Sequence, residues 1–235
     1  MISVIIPTLE EERYIGNTLA NLAGFGPEIE TIVVDGGSKD KTVEIARRYA
    51  DKVFIISVRG ISKAKNVGAR HARGDILVFL DADVLVSDDF LQKVIRIFQD
   101  PNITGATCNI MPTQPKVLEF IYFYLLNLSI RFSIASIPKT RFKFGSRGEF
   151  IAVRKSEFLR VGGFNEKIAC MEDLDITFRL FKFRKFTFIK DLVVYESMRR
   201  VRKKGFFSIL RLWGTEFIAY WFRGVPKSQV WEVVR

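Results

Sequence analysis

A mostly parallel α/β sheet with helices on both faces is the fold class this sequence predicts. Apolar runs of strand length alternate with helical patterns through the first half of the chain. Three of those runs end in turn-prone, polar or acidic residues: Pro7-Thr8, Asp35-Gly36-Gly37-Ser38 and Asp81-Ala82-Asp83. Ligands of open α/β sheets sit outside such carboxyl ends. The 235 residues suffice for a full core, and no Gly/Ser/Pro-rich linker or repeat divides them, which favours one domain.

The elements follow in order. Ile2-Ser3-Val4-Ile5-Ile6 reads as the first strand, stopped by Pro7, and a chain opening on a strand shows no secretory leader. Further strands are expected at 29–34, 53–56 and 75–80, with helices at about 11–23, 40–50, 62–72 and 88–98. A strand near 104–110 continues the sheet. Glu10 to Glu12 suit the first turn of a helix, where the macrodipole favours acids. Asp81 and Asp83 carry two readings: a hard-oxygen site for Mg²⁺ or Mn²⁺ shared with phosphates, or turn residues and caps of the helix after Ser87-Asp88.

Residues 117–135 approach the roughly 17–25 residues of a membrane span. Glu119, Asn127 and Arg131 oppose a span, because Arg at mid-membrane costs about 2.5–3.5 kcal/mol. A core or interfacial helix is expected. From Pro138 the chain mixes Lys139, Arg141, Phe142, Lys143, Phe144 and Arg147. Farther on, Arg199, Arg200, Arg202, Lys203 and Lys204 precede a helical pattern at 206–222. Phe206, Ile209, Leu210, Trp213, Phe217, Tyr220 and Trp221 share its apolar face, while Glu216 lies on the polar side. That face suits either a membrane interface or packing on the protein.

The net charge of +11 points to phosphorylated ligands, anionic lipid or nucleic acid. No nucleic-acid motif is present, and acids at the strand ends would repel a phosphate backbone, so no nucleic-acid partner is expected. His71, the only histidine, lies in Ala69-Arg70-His71-Ala72-Arg73 on an expected exposed helix turn, which speaks against a Ser-His-Asp triad or a His-ligated zinc site. Cys108 and Cys170 have neither metal nor redox spacing and read as buried, reduced residues.

The motifs resemble those of glycosyltransferase family 2, inverting nucleotide-sugar enzymes of the GT-A fold. The resemblance rests on Val4-Ile-Ile-Pro-Thr-Leu-Glu-Glu11, Ile32-Val-Val-Asp-Gly-Gly-Ser-Lys-Asp-Lys-Thr42, Ala64-Lys-Asn-Val-Gly68 and Phe79-Leu-Asp-Ala-Asp83. Val161-Gly-Gly-Phe-Asn-Glu166 and Glu172-Asp-Leu-Asp-Ile-Thr-Phe-Arg179 complete an ordered set covering roughly residues 2–200. It implies a catalytic domain at 1–198, with a nucleotide-sugar half at about 1–110 and an acceptor half at about 111–198. Residues 199–235 are then a basic, aromatic helical extension.

Family resemblance also implies roles. Pro7, Thr8 and Glu11 hold the nucleoside; Asp35 points at base or ribose; Asp40 lies near the base. Gly36 stands where the family has a second Asp, and Glu10 where it has Asn. Ser38 reads as a helix cap. Lys65 approaches the diphosphate, with a solvated lysine as the alternative. Asp83 coordinates the metal and Asp81 reaches ribose or metal through water, while Asp173 is the base that deprotonates the acceptor. Arg199 and Arg200 close over the diphosphate or meet an acceptor phosphate, with a solvated charge run or membrane headgroup contacts as the alternatives, and Gly162-Gly163 lets the backbone pass near the sugar.

The expected function is transfer of one sugar from a UDP- or GDP-sugar, with Mg²⁺ or Mn²⁺, to a glycolipid, polyprenyl phosphate or glycan acceptor. The expected place is the cytoplasm, peripheral at the membrane face. A non-catalytic nucleotide-binding protein and a nucleotidyltransferase are the alternatives.

Overall fold

A computed structural model describes residues 1–57, 60–136, 145–182, 185–224, 226 and 228. The elements run β1 (Ile2–Thr8), α1 (Ile15–Ala23), β2 (Ile29–Asp35), α2 (Thr42–Tyr49), β3 (Lys52–Ile55) and α3 (Ile61–His71). Next come β4 (Ile76–Leu80), β5 (Val84–Val86), α4 (Phe90–Phe98), β6 (Ile103–Pro112), α5 (Val117–Ala135) and β7 (Phe150–Arg154). The chain continues through α6 (Lys155–Arg160), α7 (Glu172–Phe181), β8 (Lys185–Glu196), α8 (Arg199–Lys204) and α9 (Phe206–Arg223).

One sheet takes the order β3-β2-β1-β4-β7-β6-β8-β5. Strands β3, β2, β1 and β4 are parallel. Beyond them β7 is antiparallel to β4 and β6, β8 is parallel to β6, and β5 is antiparallel to β8. Two apolar layers explain the continuous runs of β1 and β2, since a sheet covered on both faces needs apolar residues at every position. Val4, Ile6, Val33 and Val78 face one layer with Leu19 and Phe90. Ile5, Ile32, Val34 and Phe79 face the other, against α3, α6 and α7. Helix α3 lies so close to β1 that a Cβ on Gly68 would come within 2.4 Å of Ile5 Cγ2.

Several expectations need correction. Helix α1 starts at Ile15, because Glu10 sits at φ 61° in the left-handed region and the chain turns before the helix begins. No acid lies in the first turn of α1, so Glu10 to Glu12 do not serve its dipole. Strands β5, β7 and β8 were not anticipated; β5 has only three residues, too few for a period.

Helix α5 packs one line, including Phe123, Asn127 and Ile130, inward. Glu119 accepts the Lys116 N–H, and Asn127 pairs with both backbone groups of Ile110. Those two polar residues therefore turn into the protein and do not weigh against lipid contact; Arg131 is exposed. The outer face carries Leu118, Phe120, Tyr124, Leu125, Leu128 and Phe132, all exposed. Among the described residues, α5 alone is long and apolar enough to cross a membrane. The apolar face of α9 packs on protein: Ile209 is buried with Phe123, Met198 and Val201, and Phe206 and Trp213 pack beside them. Glu216, expected on the polar side, is instead buried and accepts bonds from Ser228. The basic and aromatic residues Lys139, Arg141, Phe142, Lys143 and Phe144 lie outside the described residues.

Candidate active site

Strand pairing assembles the acids. Leu80 pairs with Phe150, so Asp81 and Glu149, one step beyond on each strand, emerge side by side. Val84 pairs with Glu196, which brings the end of β8 to the turn that carries Asp83. Asp81 and Asp83 cap no helix: Asp81 O accepts the N–H of Val84, and β5 follows. Burial pushes the Asp81 carboxyl up to about 8, and the negative charge of Glu149, Asp83 and Glu172 reinforces it against Lys65. Burial also raises Asp83, with Arg199 opposing. Arg199 Nε lies 2.9 Å from Asp83 Oδ2, so a cation already sits on this carboxylate.

The residue before α7, Met171, is held at φ 62° and ψ 19°, a left-handed geometry uncommon for a side chain of this size. That turn opens the helix with Glu172-Asp173. Glu172 is buried and accepts from Lys65 Nζ at 3.0 Å. Lys65 is itself fully buried, with the Phe164 ring 5.2 Å away, so it is not a solvated lysine. Desolvation opposes its charge, but Glu172, Asp81 and Asp173 hold it protonated. Asp173 is raised to about 7, first by burial and then by Glu172.

Arg147, Glu149 and Glu196 form a buried network that the sequence reading did not assign. Arg147 Nη2 donates to Glu149 at 2.8 Å and to Glu196 at 2.5 Å. The two carboxyls also bond each other; burial raises Glu196 well above the usual carboxylate range, while the Arg147 charge lowers Glu149. The signal that marks Asp81 was present here too: an acid abutting the apolar run Phe150-Ile-Ala-Val153, and another ending β8.

A cavity of about 480 Å³ collects these groups. Asp81, Asp83, Glu149, Asp173, Arg199 and Arg200 line it, together with apolar side chains from α5 and α9. Pro7, Thr8, Glu11, Asp35, Asp40 and Lys65 do not line it. They surround it. Glu11 reaches it through Arg199 and Lys65 through Glu172. Pro7 and Thr8 end β1 beside Val34 and Asp35. Asp35 is completely buried; it accepts from Thr8, from the N–H groups of Gly37 and Ser38, and from Ser38 Oγ. Ser38 thus braces Asp35 and the Glu10 N–H and caps no helix. Asp40 accepts from Thr42 and from the Glu12 N–H, and these bonds keep its carboxyl below the usual range. Gly162 and Gly163 both have positive φ. Their turn closes on Asn66, which bonds Phe164 N–H and C=O, and does not line the cavity.

The donor set suits a small divalent cation. Among the described residues no three His, Cys, Asp or Glu side chains converge on one metal position. Two hard carboxylates remain, the usual protein share where phosphate oxygens complete a Mg²⁺ shell. The arrangement can therefore hold a metal–diphosphate and ionise an acceptor at Asp173.

Comparison with known proteins agrees with this geometry. The family described as Glycosyl transferase family 2 matches residues 3–161. An uncharacterized glycosyltransferase of Haemophilus influenzae is 27% identical over 80% of this chain and 64% of its own length. The 4,4'-diaponeurosporenoate glycosyltransferase of Staphylococcus haemolyticus is 31% identical over 69% of this chain and 46% of its own. Among solved structures, the mannosyltransferase PcManGT of Pyrobaculum calidifontis, in complex with GDP-Man and Mn²⁺, superposes with TM-score 0.73 at 26% identity. That match covers 95% of this chain and 63% of the other. The chain thus spans less than two thirds of each of these proteins.

Proposed function

The chain belongs to glycosyl transferase family 2, and from that premise we propose that it is an inverting glycosyltransferase acting on a nucleotide-diphospho-sugar. The observation that carries the reading is the meeting of Asp81, Asp83 and Asp173 in one cavity, from segments far apart in sequence. The neighbour holding GDP-Man and Mn²⁺ supports both a nucleotide-sugar donor and a divalent ion.

Asp83 and Asp81 are the residues that would hold Mg²⁺ or Mn²⁺. When bound, the ion supplies positive charge to the departing diphosphate. Pro7, Thr8, Glu11, Asp35 and Asp40 shape the nucleoside end, where Asp35 orders the loop through its bonds. Lys65 adds a buried positive charge beneath the site, and Arg199 and Arg200 face the diphosphate. Asp173, raised to about 7, suits a general base near neutral pH. It takes the acceptor proton while the acceptor oxygen attacks the anomeric carbon from the side opposite the leaving group.

The acceptor is drawn from a membrane surface at the cytoplasmic face, as a glycolipid or polyprenyl phosphate. Support comes from the exposed apolar face of α5, from the exposed Phe207, Ile218 and Phe222 of α9, and from the net positive charge.

The test uses nucleotide-sugars screened with Mn²⁺. Asp83→Asn should abolish metal-dependent donor binding. Asp173→Asn should remove transfer and keep donor binding. Transfer retained in the Asp173 variant would refute the base assignment, and release of pyrophosphate from a nucleoside triphosphate would indicate a nucleotidyltransferase.

A further inference from the structure

The cavity lining is of two chemical kinds, acidic and apolar, which meet where the Arg147 guanidinium lies 4.8 Å from the centre of the Phe123 ring. Its acidic part belongs to the reaction just described. The other wall is built from Phe123, Leu126 and Ile130 of α5 and from Leu210, Trp213 and Phe217 of α9. Phe123 and Ile130 are almost fully buried, whereas Leu126, Leu210, Trp213 and Phe217 are partly open. Such a surface loses free energy when hydrocarbon replaces water on it. The nucleoside-end residues do not line the cavity.

Charge at the junction selects the head group. Lys65 is bound to Glu172, Arg147 to Glu149 and Glu196, and Arg199 to Glu11 and Asp83. Asp81, Asp83, Glu149, Glu172, Asp173 and Glu196 line the cavity against Arg147, Arg199 and Arg200, so acids outnumber cations and an anionic head at Asp173 would meet like charge. An uncharged hydroxyl meets none and can donate to that carboxylate. Helix α5, which supplies part of this wall, also carries an exposed apolar face on its outer side.

We infer that this wall is the acceptor-chain site and that it takes an amphiphile with an uncharged hydroxyl head and a hydrocarbon body. The inference rests on the glycosyltransferase reading above and narrows its acceptor. In the step, the hydroxyl oxygen forms the new bond to the anomeric carbon. The bond from that carbon to the diphosphate oxygen breaks, the nucleoside diphosphate leaves with the electron pair, and the hydroxyl proton passes to Asp173. The head binds at Asp173 and the chain runs between α5 and α9, past Trp213 and Phe217.

Alkyl β-glucosides of increasing chain length test it by calorimetric titration of the full chain, below their micelle concentrations. Affinity should rise with each methylene, up to roughly fourfold, the fold-change that corresponds to about 0.8 kcal/mol per buried CH₂. Trp213→Ala with Phe217→Ala, and separately Leu126→Ala on the opposite helix, should flatten that dependence. Leu118→Ser on the outer face of α5 should leave it intact. Alkyl phosphates of equal length should bind more weakly than the glucosides. Affinity independent of chain length, a dependence lost in Leu118→Ser and kept in the cavity variants, or tighter binding of the phosphates would each overturn the proposal. Nucleoside diphosphate binding with Mn²⁺, measured on the same samples, separates this outcome from failure of the glycosyltransferase reading. Donor binding without chain-length dependence sinks only the acceptor site, and absent donor binding sinks the broader reading.

Discussion

The guanidinium of Arg199 meets the carboxylate of Glu11 fork to fork across 188 positions of sequence, with Nη2 2.7 Å from Oε1. Its third nitrogen, Nε, lies on Asp83, and its face rests 4.7 Å from the ring centre of Tyr14. One cation thereby ties the start of α8 to the loop after β1 and to the turn after β4. It also holds the position on Asp83 that a metal would share. Arg199→Ala should therefore let Mn²⁺ alone bind about tenfold more tightly, in keeping with the roughly 1.5–3 kcal/mol of a charged hydrogen bond. Arg199→Lys should stay near the parent. The free Mn²⁺ resonance signal during titration reads both; weaker metal binding in the alanine variant would contradict the competition.

Asp173 should impose an ascending limb on kcat/KM near pH 7, because its carboxyl is raised to about 7 and acts as base only when ionised. Glu172 is the leading charge that raises it. Glu172→Gln should move the limb to lower pH, and a limb that stays in place would show that Asp173 does not govern it.

Metal binding should be pH-dependent for a related reason. The Asp81 carboxyl, raised to about 8, must lose its proton to face a cation. The rise in Tm given by Mn²⁺ should be larger at about pH 8.5 than at about pH 6.5, since ligand-free protein at high pH carries the unfavourable buried charge. Asp83→Asn should abolish the rise at both.

The network at Arg147 makes an asymmetric prediction. Burial raises the Glu196 carboxyl well above the usual range, so its neutral isostere in Glu196→Gln should cost under about 1 kcal/mol. Glu149 is ionised against Arg147, so Glu149→Gln leaves a buried cation short of its partner and should cost about 3–5 kcal/mol. Urea unfolding of the two variants compares them directly. Equal costs would show that the proton sits elsewhere.

Glu30 is a stability element away from the site. Its buried carboxylate accepts from Ser3, from the Arg73 N–H and Nε, and pairs with Lys52 at 2.8 Å. These partners overcome its burial and lower it from 4.5 to about 2. Because the folded value lies below the unfolded one, the contribution is complete above about pH 5 and is lost as pH falls toward 2. Glu30→Gln should cost about 2–3 kcal/mol at neutral pH. The difference from the parent should shrink steadily on acidification, and a constant difference would refute the linkage.

What could be read from the sequence had short-range causes. The strands before Pro7, Asp35 and Asp81 were legible because apolar runs stop there in residues that end strands. The aromatic face of α9 was legible from its period, with Glu216 as the exception, because its burial depends on Ser228 and Cys170 from other segments. Glu149 and Glu196 had strand-end positions like those of Asp81, yet only the pairings of β4 with β7 and β5 with β8 bring them to it. Ser38 could not be separated from a helix cap, because the choice depends on Asp35 turning back to meet it. The partners of Arg199 lie in segments separated by most of the chain, and no local pattern announces such a contact.

The placing of β7 between β4 and β6 has a consequence for synthesis. Strand β4 is finished at residue 80, but the strand that covers its outer edge begins only at residue 150. While a ribosome makes the intervening segment, the four parallel strands stand with an unpaired, apolar edge of the kind that recruits other chains. Strand β6 emerges in that interval without a place beside them, since it joins the sheet through β7 and β8. The nascent chain must therefore keep an open flank through the making of α5, which among the described residues is the one helix long and apolar enough to cross a membrane.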